Sequence, residues 1–411
     1  MDDQNTLDQI AKPIILTKPE HPILNEDIDP DVYRILSRLH SQGFIAYLTG
    51  GAVRDMMLGK QPKDFDLVTD ARPGQIKKRF ANAYVIGRRF RLAHVHFKDG
   101  KVVEVSTFRK DPSAEDDLAP EPTPDPKSAY GTPAQDAFRR DITINALFYD
   151  PFMSSVIDYV GGLEDLAGRR VRVIGDPEAR FIEDPVRIWR VLRHSARLGF
   201  DIEERTERAI WTHLGLLGSC PGARLYEELN KDLAYETRPV FQALLKYGVF
   251  KYILGKIGEN YESDAGMFSR LDALLDIEDR AKAGGLWLSQ DEMYTLVLWP
   301  WGEALLADGQ GDPNLVLKNA LLGAQMRVTI PRSLRAEIIQ IMIMLRTMKR
   351  ALRTGHIRWS LQKRSHYRQA AQLFFLIEKG RPAQAGESFE SLFWEAFPAG
   401  AKWRRGRRRR S

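Results

Sequence analysis

Apolar positions recur with two different periods along this chain, and the change of period divides it. Val32, Ile35, Leu36 and Leu39 fall at i, i+3, i+4 and i+7, one apolar helical face. Asp29-Pro30 ahead of them supplies a cap followed by proline at the first helical position, and Gly43 ends the segment. The apolar runs then shorten and become β-branched. Strands are expected at Phe65–Val68, Tyr84–Ile86, Leu92–Lys98 and Val102–Phe108, with short helices at Ala52–Leu58 and Gly74–Phe80. Strands interleaved with helices predict an α+β head with a mixed sheet over residues 29–165. Beyond it the period is helical. Residues 166–240 read as a helical neck and 241–398 as an all-α body, with amphipathic helices at Val240–Leu245, Met267–Leu275, Met293–Leu298, Leu334–Leu345 and Tyr367–Ile377.

Three stretches break the pattern. Residues 1–28 are polar and proline-punctuated and read as a flexible N-terminal segment. Residues 110–133 hold six prolines and the acidic cluster Glu115–Asp117, the signature of a mobile loop. Residues 399–411 are a basic tail expected to be disordered. The 61 basic residues exceed the 55 acidic ones by six, and seven of the basic ones lie in the last ten positions, so without the tail the balance becomes slightly negative. Arg404, Arg405, Arg407 and Arg408 suit an arm that neutralises RNA phosphates; a solubilising tail or an anionic membrane surface are the other readings.

With 411 residues the chain is long enough for several domains. No apolar run approaches the roughly 18 residues that span a bilayer, and the start MDDQNTLDQIAK is not a secretory signal. Cys220 is the only cysteine, which excludes an internal disulfide framework and fits a cytoplasmic location.

Candidate chemistry concentrates in Leu48–Thr69, LTGGAVRDMMLGKQPKDFDLVT. If Asp64-Phe65-Asp66 lies on a strand, the two carboxylates project to one side. Such a pair repels itself, and a hard divalent cation such as Mg²⁺ relieves the repulsion. Gly50 and Gly51 follow an apolar run and precede a helix, where the backbone can approach a phosphate. Arg54 and Lys63 add positive charge. Glu104, a carboxylate within KVVEVSTF, reads equally as a third site carboxylate or as a solvent-facing glutamate.

GGAVRDMMLG followed by KDFDLVT resembles the head signature of the polymerase-β-like nucleotidyltransferases, within them the class that holds bacterial poly(A) polymerases and CCA-adding tRNA nucleotidyltransferases. DAFRRDITINALFYD resembles that class's RRDFTINAL motif, with Ile142 in place of phenylalanine. The resemblance implies a catalytic role for Asp141 and nucleotide contacts for Arg139, Arg140 and Asn145. An Arg140–Asp141 salt bridge is the structural alternative. EDPVRIWR resembles the EDxxR motif that reads the incoming base. Asp184 would accept from an amino group and Arg187 would donate, the two sharing one helix side at i, i+3. Arg190 continues a stripe with Arg187, His194 and Arg197. PGARLYEELNKDL resembles the neck motif RIxxEL, with Arg224, Leu225, Glu228 and Leu229 at its places.

IGRRFRLAHV resembles the segment that sets the poly(A) polymerases apart, with Arg88, Arg89 and Arg91 as its basic residues; RVLRHSARLGF departs from the class at Trp189 and His194. His94 and His96 lack an evident third ligand, so a histidine metal site is rejected. Lys349, Arg350, Arg353, Arg358, Lys363, Arg364 and Arg368, with Trp359 and Tyr367 between them, suit either RNA binding or an exposed helix face. The resemblance implies template-independent transfer of AMP from ATP to RNA 3′ ends. Pyrophosphate would be released by a two-metal mechanism, with Mg²⁺ held by Asp64 and Asp66 as the cofactor, and RNA-decay or RNA-chaperone proteins would be the potential partners. The alternatives are a CCA- or A-adding tRNA nucleotidyltransferase and a non-catalytic RNA-binding protein on this fold.

Overall fold

The computed structural model describes residues 12–87, 91–110, 130–307, 309–354, 356–380 and 402–404. They fall into two compact units, the described residues of 1–180 with 199–209 and those of 181–198 with 210–411.

The first unit is built on a mixed eight-stranded sheet in the order β1-β8-β7-β2-β3-β6-β5-β4. Its strands are β1 Ile14–Thr17, β2 Ala46–Thr49, β3 Asp66–Thr69, β4 Ala83–Ile86, β5 Leu92–His96, β6 Val102–Thr107, β7 Phe148–Asp150 and β8 Ser155–Asp158. β3 and β6 run parallel and the other neighbours antiparallel. The core on this sheet is made by Val68, Phe108, Ala137, Ala146, Phe148, Ile157 and Ile174. Helix Pro30–His40 forms as its pattern predicts. Asp29 accepts from the Asp31 and Val32 N–H groups, and Val32, Ile35, Leu36 and Leu39 are buried.

The N-terminal expectation needs correction. Residues 12–28 are not a loose leader: Ile14–Thr17 is an edge strand paired with β8, and His21 and Ile23 are buried. The β-branched pair Ile14-Ile15 suits that edge, and Asn25 fastens the return by donating to the Pro151 carbonyl. Of the expected loop, Lys110 and Tyr130–Pro133 are described. Arg109 bridges Tyr130, and Thr132 caps helix Pro133–Phe138; residues 111–129 lie outside the described residues.

The second unit is helical. Helix Val186–Leu198 packs on Gly222–Leu233 and Thr237–Lys246, and Arg332–Thr354 packs on Gln290–Ala307 and Tyr367–Lys379. Two departures from an all-helical remainder stand out. Arg170–Val171 and Asp201–Ile202, both in the first unit, form a short parallel pair. In the expected tail, Lys402–Arg404 pairs in parallel with His356–Arg358, so the tail is not wholly without order. Main-chain hydrogen bonding of this kind is indifferent to side-chain charge, which is why a run of basic residues gave no sign of it. Arg405, Arg407 and Arg408, like Arg88 and Arg89, lie outside the described residues.

Candidate active site

The site begins where β2 ends. Thr49 is the last residue of β2 and pairs with Asp66, the first of β3. Gly50 then turns the chain with φ +71°, a conformation that favours glycine. A Cβ on Gly50 would stand 3.3 Å from Asp66 Oδ2, and one on Gly51 3.4 Å from Arg54 Nη2. The glycine pair therefore keeps space open beside the carboxylate.

The expectation that Asp64 and Asp66 share a strand is half met. β3 starts at Asp66, and Asp64 lies in the bend before it. The reason is that β2 has turned away at Gly50 and leaves no partner on that side, while Pro62 has no N–H for a ladder. Asp64 approaches Asp66 from the loop, not by strand alternation. Across the sheet, Glu104 on β6 is in register with Asp66. Its Oε2 lies 3.6 Å from His94 Nε2 on β5, and both side chains are partly exposed.

These groups line a cleft of about 720 Å³ that includes Lys63, Asp64, Asp66, His94, Lys101 and Glu104. That volume suits a small-molecule ligand. The Asp66 carboxyl is pushed above the usual range, first by burial and then by the Glu104 and Asp64 charges, against the pull of Arg140. Asp66 as a residue is nonetheless exposed, at the start of its strand. Among the described residues no group of three His, Cys, Asp or Glu converges as a metal holder. The hard-oxygen pair Asp64 and Asp66 still fits Mg²⁺, which takes one or two carboxylates and fills its remaining positions from water and substrate phosphates.

The second motif meets the first through side chains. Arg54 donates from Nη1 to Asn145 Oδ1 at 2.7 Å and from Nε to Asp55 Oδ1 at 2.8 Å. Arg140 donates from Nη1 to the Asn145 carbonyl at 3.2 Å. Its other nitrogens grip Asp136 Oδ2 at 3.1 and 2.8 Å, so Asp136 is its partner in the role given to Asp141 in the structural alternative. Arg139 lies 3.5 Å from the other Asp136 oxygen. Asp141 follows in the next turn, where its carbonyl accepts from the Ile174 N–H.

Sequence reasoning missed Asp136 and Arg180. Asp136 is buried and also accepts from the Arg109 N–H; Arg180 donates to the Arg139 and Arg140 carbonyls. The signal for Asp136 was present: an aspartate three and four residues ahead of two arginines, the spacing of one helical turn.

In the second unit, Asp184 precedes helix Val186–Leu198 and accepts from the Val186 N–H. Its two oxygens take a bidentate pair from Arg224 at 2.9 and 2.8 Å. Arg187 is buried and pairs with Glu183 at 2.5 Å. The two residues expected to read the base together thus each have a protein partner. The arginines of the stripe are engaged by the protein. Arg190 pairs with Glu228, Arg197 donates to the Lys231 carbonyl, and Arg193, which the stripe omitted, binds both Glu228 and Asp232. Trp189, unusual in the sequence, donates its indole N–H to buried Asp232 at 2.5 Å.

A mixed sheet that presents paired carboxylates beside a glycine turn, with a second arginine motif locked to it, is the head of a nucleotidyltransferase. A family described as "Poly A polymerase head domain" matches residues 46–172, and one described as "Probable RNA and SrmB- binding site of polymerase A" matches residues 199–258. The chain is 33% identical over 416 aligned positions to poly(A) polymerase I of Salmonella typhimurium, covering 95% of this chain and 88% of that protein. It is 36% identical to a CCA-adding enzyme of Bacillus pumilus, over 48% of each chain. The crystal structure of the Bacillus stearothermophilus CCA-adding enzyme in complex with CTP shares the fold, with TM-score 0.59 and 23% identity over 90% of this chain and 82% of that one. The chain belongs to the bacterial poly(A) polymerase family.

Proposed function

We propose that this protein is a template-independent RNA adenylyltransferase whose chemistry is carried by Asp64, Asp66 and Asp141. The RNA 3′-hydroxyl oxygen bonds to the α-phosphorus of ATP, the bond to the bridging oxygen breaks, and pyrophosphate leaves. The observation that carries the reading is the crowding of Asp66 by Glu104 and Asp64 beside a glycine turn that leaves the site open. Mg²⁺ bound by Asp64 and Asp66 would supply charge stabilisation to the attacking and leaving oxygens. Gly50 and Gly51 admit the phosphates, Lys63 and Arg139 offer charge to them, and Arg54 and Arg140 hold Asn145 toward the nucleotide. Asp184, fixed by Arg224, Arg187 and the neighbouring Arg190 are assigned to reading the base.

The division of labour follows the expected segments. Residues 29–165 perform transfer, 166–240 select the nucleotide, and 241–398 with the basic tail hold RNA. No described helix is long and apolar enough to cross a membrane, and the reading places the enzyme in the cytoplasm. The segment described as an RNA and SrmB binding site is where a protein of the RNA-decay or RNA-chaperone kind would dock.

The CCA-adding relative keeps one other reading open for test. Purified protein with Mg²⁺ is offered ATP and CTP separately, with a generic RNA and a tRNA lacking its 3′ end. Long ladders from ATP on both RNAs are expected. CTP use on the tRNA alone, stopping after a few additions, overturns the assignment.

A further inference from the structure

The helical body contains a cavity that the proposed transfer chemistry does not use. It measures about 400 Å³ and is lined by Trp299, Glu303, Gly309, Arg346, Lys349 and Arg350 among others. It lies beyond both matched family segments. Three cations there meet two carboxylates, Glu303 in the lining and Glu378 beside Lys349. Lys349 is engaged: its Nζ is 2.5 Å from Glu303 and 3.4 Å from Glu378. Arg346 and Arg350 stand at i, i+4 on helix Arg332–Thr354, and among the described residues neither has an ion-pair partner. The Arg346 guanidinium lies against Gly309, 3.7 Å from where a Cβ would stand. Trp299 is almost wholly buried, with Lys349 Nζ 6.0 Å from its ring centre, yet its indole N–H has no acceptor. A buried donor without an acceptor is uncommon and asks for a ligand atom.

We infer that this cavity is a phosphate-binding subsite, and that the phosphate it takes belongs to the backbone of the RNA substrate. Two guanidiniums without a carboxylate partner match the bidentate geometry of a phosphate, and the indole N–H, closed to solvent in this cavity, serves a further oxygen only once the lining side chains shift to admit it. A free nucleotide carries the same group. The choice of RNA as its source rests on the adenylyltransferase reading; the existence of the subsite does not.

The test uses the full chain and a fluorescein-labelled oligo(A) RNA, read by anisotropy across a salt series. Arg346→Gln/Arg350→Gln removes one half-buried and one exposed cation, and Lys318→Gln, at an exposed position on another helix, is the control. The double variant is expected to weaken RNA binding about tenfold. It should flatten the slope of log affinity against log salt by about 0.7 for the lost phosphate. Trp299→Phe keeps an aromatic side chain and the charge balance while removing the neutral donor and part of the ring volume, so affinity falls about threefold with the slope unchanged, thermal melts confirming that the variant is folded. In tailing assays the KM for RNA rises while kcat holds. Calorimetric titration with AMP separates the sources: loss of an AMP site with RNA affinity intact overturns the RNA assignment. RNA affinity, slope and AMP binding all unchanged overturn the subsite. Wild-type protein that binds no RNA would defeat the adenylyltransferase reading instead, and the AMP titration would then decide the cavity alone.

Discussion

Arg54 and Asn145 are 91 residues apart in the chain and meet at 2.7 Å, guanidinium to amide oxygen. The bond ties the glycine motif after β2 to the arginine motif before β7. Because Asp55 and Arg140 hold the two partners from their other sides, the link is a rigid brace. Arg54→Lys keeps the charge and loses the fork, so it cannot hold Asp55 and Asn145 together. We expect AMP incorporation to fall about tenfold to a hundredfold through kcat, with thermal stability nearly unchanged. Asn145→Ala should fall by a similar factor. The double variant should fall no further than the worse single, since the two act as one unit. Rates for all three variants at saturating ATP check this.

Asp66 sits at the point of greatest carboxylate crowding. Asp66→Asn keeps the shape and removes the charge. Incorporation should drop by about a thousandfold or more, the scale expected when a metal-holding group is lost, while RNA binding stays within twofold. Because burial and like charge raise the Asp66 carboxyl, the variant should melt no lower than the native protein. Near-native rates would remove Asp66 from the site.

Much of this site is legible in the sequence, and the reason is local. Gly50, Asp64, Asp66, Arg139 and Arg140 belong to two short runs whose residue types have few other uses together. Helix Pro30–His40 is legible because its cap, its apolar period and its terminating glycine all agree. What the sequence hides depends on the partner strand or helix. Asp64 falls off the strand because β2 ends opposite Asp66. Ile14–Thr17 joins the sheet because β8, over a hundred residues later, offers it an edge. The arginine stripe on Val186–Leu198 looks solvated because Glu228 and Asp232, which neutralise it, lie on another helix.

Nucleotide choice should depend on Arg224 as well as on Asp184. Arg224 fixes both Asp184 oxygens, and Arg187 is separately held by Glu183. Arg224→Ala frees the Asp184 carboxylate to rotate without removing its charge. We expect the KM for ATP to rise about fivefold to twentyfold. The preference for ATP over CTP in kcat/KM should narrow by a similar factor, the scale of one charge-assisted hydrogen bond. Stability should change little, because Arg224 is substantially exposed. Discrimination left intact would show that Asp184 is held by the cap it makes to Val186 and needs no arginine.

Glu228 gives the second unit a defined acid sensitivity. Burial opposes its ionisation, but the Arg193 and Arg190 guanidiniums prevail and hold its carboxyl down at about 2, below the ordinary 4.5. The folded state therefore binds this proton less readily than the unfolded chain. The stability it contributes is complete above about pH 4.5 and is lost as pH falls toward about 2. Glu228→Gln should lower the melting temperature at pH 7 and flatten its decline below pH 4.5, so that the native and variant curves converge in acid. Glu228→Ala should be worse. It leaves the Arg193 guanidinium buried with Asp232 as its remaining carboxylate partner, so the loss stays below the roughly 3–5 kcal/mol of a buried charge left wholly unpaired. Thermal melts of the three proteins from pH 3 to 8 decide it, and parallel curves would show that Asp232 alone carries the charge of Arg193.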